Sequence, residues 1–326
     1  MNVLVTGGAG YIGSVVTEEL LSSGHSVYVI DTLEEGHRDA VHKDADFIEA
    51  AIEDKEALSD MFDKSGIEAC IHMAAYASVP DSVLRPERYY KNNVTNASVL
   101  LEKMMEFGIK KMIFSSTAAV YGEPKYTPID EAHRKRPINP YGDSKLKFEG
   151  ILKNYHDKKG LNSVSLRYFN ACGATGSFGE HHNPEAHLIP LILQVALGKR
   201  EFIEVFGTDY RTKDGTCMRD YIHVRDLAKA HVLALEKCDA LGCRAFNLGN
   251  GNGFSVIDVI NAAEKVTGKK INRINSPRRP GDPAVLIAGS EGIKTELGWD
   301  PEYTELESMI ETAWRWHREH PDGYKK

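Results

Sequence analysis

Short apolar runs at 3–6, 26–30, 46–48, 69–72, 111–115 and 163–167 alternate with longer stretches whose apolar residues recur at helical spacing. Runs of that length, bounded by turn residues, suit strands buried on both faces, with a helix crossing over after each. The pattern predicts an α/β fold, a doubly wound parallel sheet covered by helices. Between the fourth and fifth runs, Val94, Ala97, Leu101 and Met104 mark one helix face; after residue 145, Phe148, Ile151, Leu152 and Tyr155 mark another. Core packing accounts for both stripes, and helices of this kind also suit pairing in a dimer. Beyond Asn170 the alternation stops. Residues 172–183, rich in Gly, His and small side chains, read as a loop. Helices are predicted at 189–197, 224–237 and 306–318, a strand at 245–248 and a loop at 276–283. The expected division is a first domain at 1–170 and a smaller mixed domain at 171–326, with segments near 221–250 returning to the first.

Composition narrows the function classes. A formal charge of -7 over 326 residues opposes general nucleic-acid binding, which needs a basic face. The basic run 133–136 (HRKR) reads as a solvated loop. Cys70, Cys172, Cys217, Cys238 and Cys243 have no CxxC or regular spacing, so reduced, mostly buried thiols in a cytoplasmic protein are expected. A strand begins at Asn2, which predicts no signal peptide, and no apolar run reaches the ~18 residues of a membrane span. His181, His182 and His187 show no acidic or cysteine partner at ligand spacing, and no metal site is expected.

Candidate chemistry begins after the first strand. Gly7, Gly10 and Gly13 lie where a tight turn, close approach to a pyrophosphate and close helix packing need glycine, and the helix amino terminus supplies N–H groups to phosphates. Asp31, ending the second strand, suits a carboxylate accepting from an adenosine ribose. Its charge, with Glu34 and Glu35 nearby, favours NAD over NADP. Thr117 closes the fifth strand, at the sheet end that faces ligands. Tyr141 and Lys145 stand four apart, on one helix face, where an ammonium would lower the phenol pKa and create a base near neutral pH.

Gly7, Gly10, Gly13, Asp31, Thr117, Tyr141 and Lys145 together resemble the extended short-chain dehydrogenase/reductase family, whose fold is Rossmann-like. Residues 167–174 (RYFNACGA), 219–224 (RDYIHV), 246–249 (FNLG), 279–282 (RPGD) and 314–324 resemble the UDP-glucose 4-epimerases within it, over essentially the whole chain. The resemblance implies an NAD-binding domain followed by a UDP-sugar-binding one. It implies transient oxidation of a UDP-hexose at C4, rotation of the 4-keto sugar, re-reduction, and a homodimer. Tyr141 would be the base, Thr117 would hold the reacting oxygen, and Lys145 would bind the nicotinamide ribose. Tyr11, Ile12, Ile52, Asn92 and Phe169 would line NAD with Asp31. Asn170, Leu188, Phe206, Arg219, Arg279 and Asp282 would hold UDP.

The chain also departs from that pattern. Ala51-Ile52 replaces an Asp-Ile pair beside adenine, Ala77 stands where some members carry lysine, and Ala186-His187 replaces a frequent Asn-Asn. Ala118-Ala119 occupies the places where dehydratases of the superfamily carry an acid and base, which opposes elimination chemistry. UDP-pentose or UDP-uronate epimerases and uronate decarboxylases stay open. So does turnover of N-acetylated sugars, because Leu286 is of intermediate bulk. A non-catalytic dinucleotide sensor would have no need of Thr117, Tyr141 and Lys145 together.

Overall fold

The computed structural model describes residues 1–279 and 282–325. Strands β1 (Asn2–Thr6), β2 (Ser26–Asp31), β3 (Asp46–Glu49), β4 (Ala69–His72), β5 (Lys111–Thr117) and β6 (Asn162–Tyr168) join Cys243–Leu248 in one seven-stranded sheet. All neighbours pair in parallel, and the order runs Cys243–Leu248, β6, β5, β4, β1, β2, β3. The direction of winding reverses between β1 and β4, so a crevice opens beyond their carboxyl ends, the usual ligand position in an open α/β sheet.

Helices on both faces explain why β1, β2, β4 and β5 are mainly apolar rather than alternating, while β6 (NSVSLRY) is buried almost throughout despite its alternation. On one face, helix α1 (Tyr11–Ser22) and the helix Val224–Leu241 pack Val15, Val16, Leu20, Leu227 and Leu235 against Val3 and Val5. On the other, Leu58, Leu101, Met104, Phe148 and Leu152 cover Leu4 and Cys70. A separate small core joins the helices Leu188–Ala196, Val256–Thr267 and Leu306–Glu319 through Ile192, Leu193, Val259 and Ile310. Beside it, Ile203–Phe206 pairs with Arg273–Ser276, and Met218–Arg219 lies between Phe254–Ser255 and Val285–Leu286. No helix among the described residues is long and apolar enough to cross a membrane.

The structure alters three local readings. Residues Lys91–Asn96 form a π-helical turn ahead of the α-helix Ala97–Glu106. The wider turn rotates Val94 off the buried face and turns Asn93 inward, where its amide bonds the backbone of Tyr76 at 3.1 and 3.0 Å. Helix Val256–Thr267, not predicted above, carries a reciprocal Ser255/Asp258 capping box that the sequence displays. The basic run is only partly solvated: His133 is buried, and its Nε2 accepts the Lys125 N–H at 3.0 Å.

One buried ion pair ties the sheet to the helix Pro140–Lys159. Arg167 on β6 meets Glu149 at 2.6 Å, with their side chains 4% and 10% exposed. Glu149 also accepts from Ser116 Oγ at 2.6 Å. Removing one member of such a pair strands the other charge. Glu149→Gln is therefore expected to cost about 3 kcal/mol in urea unfolding; a loss under about 1 kcal/mol would show that the pair does not anchor this helix.

Candidate active site

At the carboxyl end of β1 the chain turns through Gly7 at φ +74°, and a Cβ there would lie 2.7 Å from Ala74 N. A Cβ on Gly13 would lie 2.1 Å from Gly7 O, so α1 sits against the turn only because that position is glycine. Gly10 is different. Its added Cβ would meet only Gly7 O, at 3.4 Å, leaving an open face above the turn. Gly10 precedes α1 with no side-chain cap, so the first-turn N–H groups point unclaimed toward that space. A diphosphate fits this cradle in shape and in charge.

Asp31 ends β2 and accepts the Ala9 N–H at 3.1 Å and the Leu33 N–H at 2.9 Å. Burial raises its pKa, with these bonds opposing. Arg88 stacks over the Tyr76 ring at 3.6 Å and pairs with Glu34 at 2.5 Å and Glu35 at 3.9 Å. The neighbouring acids are thus partly neutralised. Asp31 itself has no ion pair among the described residues, so its charge is left uncompensated at the end of β2.

Thr117 ends β5, and its Oγ1 accepts the Ala119 N–H at 3.1 Å. The helix Pro140–Lys159 starts from Asn139, whose Oδ1 accepts the Gly142 N–H at 2.8 Å, with Pro140 in the first position. A Cβ on Gly142 would lie 2.5 Å from Ala119 O. Glycine there lets the helix close on the Thr117 loop, which brings the Thr117 hydroxyl beside the Tyr141 phenol. Burial raises the Tyr141 pKa, with the neighbouring Thr117 hydroxyl working against it. Lys145 Nζ donates to Ser115 O at 2.7 Å and lies 4.8 Å from the Phe114 ring centroid. Burial pushes its pKa down to about 7, with Glu149 opposing.

Tyr141 and Lys145 share one helix, and the tyrosine's shift is governed first by burial and then by Thr117. The ammonium is turned to a backbone carbonyl, and desolvation of the phenol dominates.

The far end of the crevice belongs to the second half of the chain. Arg219 lies in register with Phe254 on one side and Leu286 on the other. Its guanidinium pairs with Asp282. Arg279 stacks over the Phe206 ring at 3.8 Å. Pro280 and Gly281, the middle of the 279–282 motif, lie outside the described residues. Leu188 opens the helix Leu188–Ala196, and Asn170 N–H donates to Asp220 O at 3.0 Å. Phe169 is buried with Ala118 and Val120, and Leu286 packs on that cluster, which links the two ends of the crevice. Of the remaining residues, Ile52 is buried in the core on the opposite sheet face from α1, Asn92 sits on the π-helical turn, and Tyr11 Oη donates to Gly173 O at 2.6 Å. Ile12, the second residue of α1, packs partly buried against the core.

A model of the NAD dependent epimerase/dehydratase family matches residues 3–249. A UDP-glucose 4-epimerase of Halalkalibacterium halodurans is 52% identical over 327 residues, covering 99% of this chain and 98% of that protein. The chain belongs to the UDP-glucose 4-epimerase family. A solved UDP-glucose 4-epimerase superposes with a TM-score of 0.97 at 49% identity, covering 100% of both chains. The enzyme of Bifidobacterium longum, solved with NAD+ and UDP, gives 0.95 at 39% identity over 99% of this chain and 100% of that one.

Within this epimerase family member, two features escaped the sequence reading. Asp220 accepts N–H groups from Asn250 at 2.8 Å, Gly251 at 2.9 Å and Ala288 at 3.0 Å, holding together the strands that carry Arg219 and Leu286. Burial raises its pKa to about 6, with those bonds opposing. Its place inside the 219–224 motif was the available signal. The second is a correction: acidic partners do lie beside the histidines. Glu180 and Glu185 face His182 and His187 within an irregular loop.

Proposed function

We propose that the chain is an NAD-dependent UDP-hexose 4-epimerase interconverting UDP-glucose and UDP-galactose. The meeting of Thr117 and Tyr141 across the Gly142–Ala119 contact carries this reading, beside an open glycine cradle and together with Arg219 and Arg279 in the second half of the chain. Gly7, Gly10, Tyr11, Ile12, Gly13, Asp31, Ile52, Asn92 and Phe169 would hold the dinucleotide. Bound NAD would supply a reversible hydride acceptor for C4 of the sugar. Tyr141 takes the proton of the 4-hydroxyl and later returns it, and Thr117 holds the same oxygen in place. Tyr141 would reach its basic form where the positive charge of Lys145, joined by that of NAD+ when bound, offsets its burial. Arg219 and Arg279 hold the diphosphate, Phe206 and Asp282 the nucleoside, and Asn170 and Leu188 the intervening wall, while the 4-keto sugar turns over. Ala118 and Ala119 offer no acid or base for water elimination.

Purified protein given UDP-galactose is expected to yield UDP-glucose, without added cofactor if NAD is retained. Absence of product even with NAD supplied would overturn the reading. A panel of UDP-N-acetylglucosamine, UDP-xylose and UDP-glucuronate then defines the sugar; Leu286, packed beside the Thr117 loop, is the residue whose bulk bears on it. Gly13→Ala is expected to weaken NAD retention at least tenfold, read from dinucleotide released on denaturation, because its Cβ would collide with Gly7 O at 2.1 Å. Full occupancy in that variant would refute the cradle.

Pairing of the helices Ala97–Glu106 and Pro140–Lys159 with those of a second copy would give a homodimer, supported by their length and apolar stripes; sedimentation as a single-chain species would exclude it. A cytoplasmic place in galactose metabolism fits the free thiols, with no disulfide among the described residues.

A further inference from the structure

We propose that Glu180, His182, Glu185 and His187 form a tetrahedral site for a divalent transition ion of the zinc type. The four residues occupy the loop between the strand Asn170–Cys172 and the helix Leu188–Ala196. Each offers one ligand atom, and those atoms lie within 4.8 Å of one another. His182 Nδ1 is 3.5 Å from Glu180 Oε1 and 3.4 Å from Glu185 Oε2. His187 Nδ1 is 2.9 Å from Glu180 Oε1 and 3.2 Å from Glu185 Oε1. Zinc bonds of about 2.0–2.2 Å to nitrogen and oxygen, arranged tetrahedrally, place ligands roughly 3.3–3.5 Å apart. Three of the four imidazole–carboxylate separations, 3.5, 3.4 and 3.2 Å, are close to that polyhedron, and the 2.9 Å pair would open slightly around an ion.

The chemistry of the donors points the same way. Both carboxylate side chains are only 6% exposed, so two negative charges are withdrawn from water in one place. Two carboxylates with two neutral imidazoles balance one divalent cation. A protonated His187 could bridge the carboxylates by itself, but that arrangement leaves His182 Nδ1 buried without a hydrogen-bond partner. An ion claims that atom. Glu185 Oε1 is also held by the N–H groups of Ala186 and His187, both at 2.8 Å, which fixes the carboxylate before any ion arrives. Two imidazoles with two carboxylates select zinc-type ions over calcium or magnesium, which take six or more oxygen ligands. Four protein ligands leave no open position, so the ion would be structural. His182 meets the Tyr11 ring edge-on at 6.4 Å, and Tyr11 bonds Gly173, so the ion would fasten this loop to the first turn of α1.

The test uses the full-length protein, treated with chelator, dialysed and titrated with CoCl2. One cobalt per chain is expected, with the strong visible absorption of four-coordinate cobalt, displaced by an equivalent of ZnCl2. His187→Ala removes a half-exposed ring and His182→Ala the orphaned nitrogen; each is expected to abolish the absorption. His181→Ala, outside the cluster, should retain it. No binding, the faint absorption of six-coordinate cobalt, or full binding in both cluster variants would overturn the site. None of these readouts depends on turnover, so the result is independent of the proposed reaction.

Discussion

Tyr141→Phe is expected to lower kcat by roughly 10³-fold, within the range for removal of a general base. The substitution deletes only the phenolic oxygen. The ring keeps its edge-on contact with Tyr89 at 6.5 Å, and the Asn139 cap and the Gly142–Ala119 contact stay in place. Loss of a polar contact of the Thr117 kind costs at most about 1 kcal/mol. NAD content and UDP binding should therefore match the parent protein while UDP-galactose turnover disappears. Turnover within tenfold of the parent would remove Tyr141 as the base.

Lys145→Met is expected to do two opposite things: suppress turnover by about 10²-fold or more, and raise stability. Lys145 is buried and its pKa falls from 10.5 to about 7 on folding. Between those values the unfolded chain binds more protons than the folded one, so the parent gains stability as pH rises from about 7 toward 10.5. Below about 7 the folded protein carries the ammonium and bears its full desolvation cost. Methionine removes that cost. In cofactor-stripped protein the variant should be more stable by roughly 2 kcal/mol at and below neutral pH, allowing for the lost bond to Ser115 O. The advantage should shrink as pH rises toward 10.5. Melting curves across pH decide: a parent that is the more stable below pH 7 would contradict the burial argument.

The first half of the chain was readable because β1, β2, β4 and β5 each carry a short, mainly apolar core run, a pattern imposed by helices on both faces. The second half was not. Its strands Met218–Arg219, Phe254–Ser255 and Val285–Leu286 have two residues each, too short to show any period. The Tyr141/Lys145 spacing was visible, but the direction of the tyrosine shift depends on how deeply distant segments bury it. Gly142 reads locally as a weak helix former; only the approach of Ala119 O shows why it is glycine. Glu180 and Glu185 escaped notice because an irregular loop, with no period to follow, brings them to the histidines.

The placement of Cys243–Leu248 at the edge of the sheet has a consequence for synthesis. This strand covers β6, register Ser163 to Cys243 through Tyr168 to Leu248. It is made about 80 residues after β6, some 4–16 s later at 5–20 residues per second. During that interval the nascent chain displays the open edge of β6, and the surface of α1 that the helix Val224–Leu241 will cover is bare. A ribosome that stalls between these segments therefore holds a six-stranded sheet with a sticky open edge, and the growing polypeptide needs shelter until its last sheet strand emerges.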